Sequence, residues 1–177
     1  HLHVRYPERW HAYYSLWNPQ VNAPLKALIA RVKPDVVSAW VIQNGLTFAS
    51  LSVAHASGAA TVFNSQDVMP VSYTRLTHYI DPARCDTPPE AYRLPPLHGL
   101  RTMRLRYNPL RMLLIRRILT RQVDVCVAGS EAHRQALAAN GLPDFRIVHA
   151  SVEPRDFDAS PETVAALRAE LGLTGRK

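Results

Sequence analysis

An aspartate that closes an apolar run is the residue of this chain best placed to do chemistry. Asp67 follows Ala60 to Asn64, which reads as a strand, through Ser65 and Gln66. A carboxylate there can accept a hydrogen bond from a ligand hydroxyl, or it can cap the following turn. Two other places have the same form. Gln43 and Asn44 come just after the short apolar strand that begins at Asp35. Their amides could hold a hydroxyl, although Asn44-Gly45 is also a plain turn dipeptide. Ser130 and Glu131 follow Asp124 to Ala128 through Gly129. Ser130 is a good helix N-cap, and Glu131 suits the positive end of a helix whether or not a ligand is present.

These residues matter together only if their strands are parallel. The order strand, helix, strand within thirty residues after Asp124 is a βα unit of a parallel sheet. Such sheets bind ligands at the loops beyond the carboxyl ends of their strands. The predicted fold class is therefore α/β, a Rossmann-like parallel sheet with helices on both faces. The expected elements are a helix over Val21–Val32, ended by Lys33-Pro34, and a strand over 35–40, apolar enough to be buried on both faces. A helix over Leu46–Ala56 follows, closed by Gly58, then a strand over 60–64. Residues 81–99 are broken by Pro82, Pro88, Pro89, Pro95 and Pro96. Asn108-Pro109 starts a helix that reaches about Gln122. Glu131–Asn140 is a helix, Arg146–Val148 a strand, and Ser160-Pro161-Glu162 opens a last helix stopped by Gly172. The first twenty residues are aromatic and irregular.

Length and composition set the bounds. A chain of 177 residues, 47% apolar and 20% charged, buries a real core and reads as one globular domain. Its first residue is His1, not Met, and it reads as an internal piece of a longer chain. Cys85 and Cys126 form no metal motif and no disulfide framework, which fits a reducing, cytoplasmic setting. Cys126 should be a small buried residue.

The formal charge is +7, and its excess is local. Arg101, Arg104, Arg106, Arg111, Arg116, Arg117 and Arg121 occupy one stretch with no acidic residue among them. On a helical wheel Met112, Leu114, Ile115, Ile118 and Leu119 share one side, with Arg116, Arg117, Thr120 and Arg121 on the other. Arg111, Arg116, Arg117 and Arg121 are candidate contacts for an anion or a membrane surface. A solvated helix face is the plain alternative. No nucleic-acid partner is expected, because stacking aromatics and known DNA- or RNA-module signatures are missing.

Three blocks resemble family 4 of the GT-B glycosyltransferases, on their acceptor side. Lys33-Pro34-Asp35-Val36-Val37 with the small-residue helix to Gly58 is similar to one family strand and helix. Ala60–Asp67 is similar to a strand ending in a His-Asp pair. Arg116–Phe157, read RRILTRQVDVCVAGSEAHRQALAANGLPDFRIVHASVEPRDF, carries the family's spacing of turn and charged residues over some forty positions. The resemblance covers nearly the whole chain. Gln66 stands where the family often has His, which removes a titratable group. His149–Glu153 replaces the family's usual Asn-Gly turn.

The resemblance implies a retaining glycosyltransferase that moves a sugar from a nucleotide-sugar donor to a glycan or lipid-linked acceptor. It implies residues 1–157 as a partial acceptor-side domain and 158–177 as a linker helix toward a donor domain. No cofactor or metal is expected beyond the nucleotide sugar as co-substrate. Asp67 is then the catalytic candidate. Gln43, Asn44, Gln66, Tyr73, Arg75, Ser130 and Glu131 are acceptor-binding candidates, Tyr73 and Arg75 lying in the polar loop beyond Asp67. The alone-standing chain should not transfer sugar. It is expected in the cytoplasm, with peripheral contact to the inner membrane face. Two other classes compete: a basic, non-catalytic α/β module for an anionic polymer or membrane surface, and a protein-interaction domain docked through the aromatic N-terminal segment.

Overall fold

The structure is a computed structural model and describes residues 4–43, 45–72, 89–95, 98–149 and 159–172. Asn44, Tyr73, Arg75 and Cys85 lie outside the described residues, as do most of the proline-rich stretch and residues 150–158.

Four parallel strands make the sheet, in the order β1 (Val36–Trp40), β2 (Ala60–Ser65), β3 (Val125–Ala128) and β4 (Arg146–Ile147). The register pairs Ala39 with Phe63 and Phe63 with Cys126. Asp124 helps to set it. Its Oδ2 accepts from the Thr61 amide at 2.7 Å, and its own amide donates to the Thr61 carbonyl. A carboxylate just before β3 thereby aligns that strand on β2.

Each helix has a local cause. α1 is the short turn His11–Tyr14, and Tyr6 stacks on both its His11 and its Tyr14 rings. α2 (Pro19–Val32) begins two residues before its predicted start, because Asn18 caps it by accepting from the Gln20 amide. Lys33 ends it in the left-handed region at φ 50°, just ahead of Pro34. α3 is Ala49–Ala56, shorter than the expected 46–56. The Phe48 and Ala49 amides bond the Ser15 and Leu16 carbonyls instead, tying that loop to the N-terminal segment. Gly58, at φ 85°, closes α3 as expected. Among the described residues of the proline-rich region, a 3₁₀ turn spans Pro89–Tyr92 and the short α4 spans His98–Met103. α5 spans Arg111–Arg121, α6 Glu131–Ala139 and α7 Pro161–Glu170, the last with all ten residues exposed.

One expectation needs correction. β1 is not buried on both faces. Among the described residues it is an edge strand, and its Val36 and Trp40 are each 57% exposed. Leu51 of α3, Ile115 and Leu119 of α5 and Leu137 of α6 join Ala39, Phe63, Cys126 and Ala128 in one cluster. Those strand residues share a single face. The strand order advances in one direction, so crossovers of one hand bring the connecting helices to one side. Phe63 centres this layer, 5.8 Å from Phe48 and 6.4 Å from Phe145 between ring centroids. Cys126 is buried here as expected, and burial pushes its thiol pKa up to about 12.

Arg111 is the second departure. It was placed with the anion-facing arginines, yet it is 3% exposed. Its guanidinium donates to the Met69 carbonyl at 2.7 Å and the Pro70 carbonyl at 3.1 Å, and its Nε reaches Ser15 Oγ at 3.5 Å. The group also lies 5.7 Å from the centre of the Phe48 ring. Ile115 and Leu119 follow it at i+4 and i+8, so α5 turns this arginine inward with its apolar stripe. Replacing Arg111 by Met should cost about 3 kcal/mol of stability, because buried carbonyls lose their donor. The same change at exposed Arg116 should cost less than about 0.5 kcal/mol. Urea unfolding of the two variants checks this contrast.

Candidate functional site

The strand ends bring the first candidates together. Gln43, buried beyond β1, donates from Nε2 to Asp67 Oδ2 at 2.9 Å. Asp67 Oδ1 accepts from the Met69 amide at 2.9 Å, the turn-capping role foreseen for it. Each carboxylate oxygen keeps a further lone pair, so Asp67 can still accept from a ligand hydroxyl. Gln43 Oε1 has no partner among the described residues and can accept one as well.

The backbone of Asp67 is fixed as closely as its side chain. Ser65 Oγ donates to the Asp67 carbonyl at 2.8 Å, and His133 Nε2 donates to the same oxygen at 2.9 Å. That bond requires a proton on Nε2, since a carbonyl oxygen can only accept. On the other side His11 Nε2 donates to the Gln43 carbonyl at 2.7 Å. Neither histidine was singled out in the sequence. For His133 a signal existed: it is the third helical residue after the Ser130 cap, and early helical side chains lean back toward the helix start.

Ser130 sits at the same end of the sheet as Asp67, since Ala128 pairs with Ser65. Its Oγ accepts from the His133 amide at 3.2 Å, so it is an N-cap whose hydroxyl proton stays available. The remaining candidates separate from this group. Gln66 is exposed and bonds Asn64 Oδ1 at 2.6 Å. Glu131 turns along its own helix, paired with Arg134 at 2.7 Å and bonded by Gln135 at 2.9 Å. Arg134 also reaches Asp144 at 3.0 Å. Of the basic candidates, Arg116, Arg117 and Arg121 are exposed and Arg111 is not.

A groove of about 950 Å³ lies elsewhere. Its walls are α2 and α3, with Asp35 and Ala59 at the amino ends of their strands. Asp67, Gln43 and Ser130 do not line it. The chemistry-bearing rim is at the opposite, carboxyl end. Among the described residues no group of three or more His, Cys, Asp or Glu could hold a metal, and no helix is long and apolar enough to cross a membrane.

No protein-family model, curated protein or solved structure matches this chain. The rim geometry and the sequence resemblance therefore carry the functional reading alone.

The Arg134 guanidinium bonded to Glu131 holds that carboxyl down at about 2, from an ordinary 4.5, with the Gln135 amide adding to the effect. A lowered carboxyl stabilises the fold above its ordinary pKa and loses that contribution as pH falls through the lowered one. The pair is exposed, so salt should weaken it. An NMR titration of the Glu131 side chain should find its midpoint well below 4.5. Arg134→Gln should move the midpoint up toward the ordinary value.

Proposed function

We propose that the rim formed by Gln43, Asp67, Ser130 and His133 is the acceptor side of a retaining glycosyltransferase cleft. The observation that carries the reading is the Gln43–Asp67 hydrogen bond of 2.9 Å. It joins an amide and a carboxylate across two parallel strand ends, where ligands of such sheets bind. The residues in Ala60–Asp67 and Arg116–Phe157 that resemble family 4 of the GT-B enzymes lead to this same rim.

In this reading a hydroxyl of a glycan or lipid-linked acceptor donates to Asp67 while Gln43 Oε1 accepts from its neighbour. As the hydroxyl oxygen bonds to the anomeric carbon, the bond from that carbon to the nucleotide phosphate breaks, the nucleotide leaves, and the Asp67 carboxylate accepts the hydrogen bond of the proton that the hydroxyl gives up. The nucleotide sugar is a co-substrate, which in this reading is held mainly by a donor domain. Catalysis rests on positioning and on charge stabilisation rather than on a protein nucleophile. His133 holds the Asp67 carbonyl, and so is a positioning residue. Gln66 and Glu131 have no part, since their side chains are engaged elsewhere.

A titration of the ¹⁵N-labelled chain with short glycans and with a lipid-phosphate-linked sugar tests this. The amides of Gln43, Asp67, Ser130 and His133 should shift together. Asp67→Asn should weaken binding on the order of tenfold, equivalent to one charge-assisted hydrogen bond. Calorimetry with free nucleotide sugars should show no binding. Shifts confined to other surfaces, or tight nucleotide-sugar binding by this chain, would count against the reading.

A further inference from the structure

We propose that β1 pairs antiparallel with β1 of a second copy of this chain, joining two sheets across a two-fold axis at Ser38. One bond sets which way the backbone of β1 faces. The Asp35 carbonyl accepts from the Ala60 amide at 2.9 Å, so Asp35 turns its polar groups toward β2. Backbone groups alternate sides along a strand. Val37 and Ala39 therefore face β2 as well, while Val36, Ser38 and Trp40 turn N–H and C=O to the outer edge. None of these outer groups has a backbone partner among the described residues.

The strand sequence Val-Val-Ser-Ala-Trp is self-complementary in this arrangement. With Ser38 opposite its own copy, Val36 of each chain falls opposite Trp40 of the other. All the facing pairs are then of the hydrogen-bonded type, each exchanging two bonds. An aromatic ring against a β-branched side chain is a favourable cross-strand pair. Val36 and Trp40 are each 57% exposed, and Trp40 Nε1 already donates to Ser38 Oγ at 2.9 Å. The ring can be covered without stranding its N–H. A symmetric register of this kind is what a two-fold contact between copies requires, and an unrelated strand would not need to match it.

This edge carries none of the usual guards. Proteins protect such strands with Lys, Pro, a bulge or a covering element. Residues 36–42 include no charge and no proline, and β1 runs in unbroken register with β2. A five-residue strand alone covers less than the roughly 800 Å² per side of a stable interface. α2 extends the patch. Val21, Leu25, Leu28 and Val32 lie at i, i+4, i+7 and i+11, one stripe of that helix. Val21 is buried, Leu28 is 44% exposed and Val32 59%, so the stripe opens toward β1. Only Lys33, Pro34 and Asp35 separate Val32 from Val36. Antiparallel pairing sends the carboxyl ends of the two sheets, and with them the two Asp67 rims, in opposite directions. The contact uses none of the rim residues. It does not rest on sugar transfer, and its failure would leave that reading intact.

Light scattering behind size exclusion, over a dilution series, tests it. The mass should be twice that of one chain and fall toward one chain on dilution, as a micromolar contact does. Ser38→Pro removes the outward N–H at the axis and leaves the bonds to β2 in place. Val36→Lys sets a charge on the edge. Each should raise the dissociation constant on the order of tenfold or more, with an unchanged thermal melt in dilute solution. Val36→Lys with Trp40→Glu in one chain should recover most of that loss, because the two positions face each other in this register. In a Cys85→Ser background, Ser38→Cys should cross-link copy to copy under mild oxidation, and Thr120→Cys, exposed on α5, should not. A single-chain mass at every concentration would overturn the proposal. So would open-ended aggregation with no dimer step, a dimer indifferent to both Ser38→Pro and Val36→Lys, or a dimer that leaves Ser38→Cys unlinked.

Discussion

The structure turns on one buried guanidinium. Arg111 leaves water to bond the carbonyls of Met69 and Pro70, and it lies close to the Phe48 ring. A buried charge is tolerated only where its donors are matched, and here backbone oxygens match them. Two consequences follow from this single placement. The chain after Asp67 is held against the first turn of α5. The rotation of α5 about its own axis is set as well, which decides that Leu110, Leu113 and Leu114 face outward.

The rim is over-determined by the same logic. Asp67 is tied through both carboxylate oxygens, to Gln43 and to the Met69 amide. Its carbonyl receives Ser65 and His133. Gln43 is tied in turn by His11. These contacts come from the N-terminal segment, β1, β2 and α6, so four separate parts of the chain agree on where one carboxylate sits. Preorganisation of this kind is what a hydroxyl-binding site requires, since its groups must not reorganise when the ligand arrives. The price is sensitivity: a change in any of the four parts reaches Asp67.

Much of the frame was legible because it is written locally. Gly58 and Gly141 stop helices at positive φ, Ser130 and Ser160 cap helices, and short apolar runs pair in parallel. What was not legible depends on distance along the chain. His133 meets Asp67 across 66 residues, and His11 meets Gln43 across 32. No spacing rule reports such contacts. Arg111 was misjudged because an arginine in a basic stretch reads as solvated, and its partners are carbonyls that every residue has. The burial of β1 was overestimated because an apolar run does not say whether a strand is central or at an edge. Asn108-Pro109 shows the limit for boundaries. Asn108 Oδ1 accepts from the Leu110 amide as Asn18 does from Gln20, yet a turn intervenes before α5 begins at Arg111.

The most direct measurement of the central claim is amide hydrogen exchange in the native chain and in Arg111→Lys, which keeps the charge but not the fork. The account predicts faster exchange, on the order of tenfold or more, at Met69, Val71, Ser72 and Leu114, with the Phe63 amide in β2 unchanged. Equal rates at those four amides, or a uniform rise through β2, would show that Arg111 does not hold the Asp67 loop to α5.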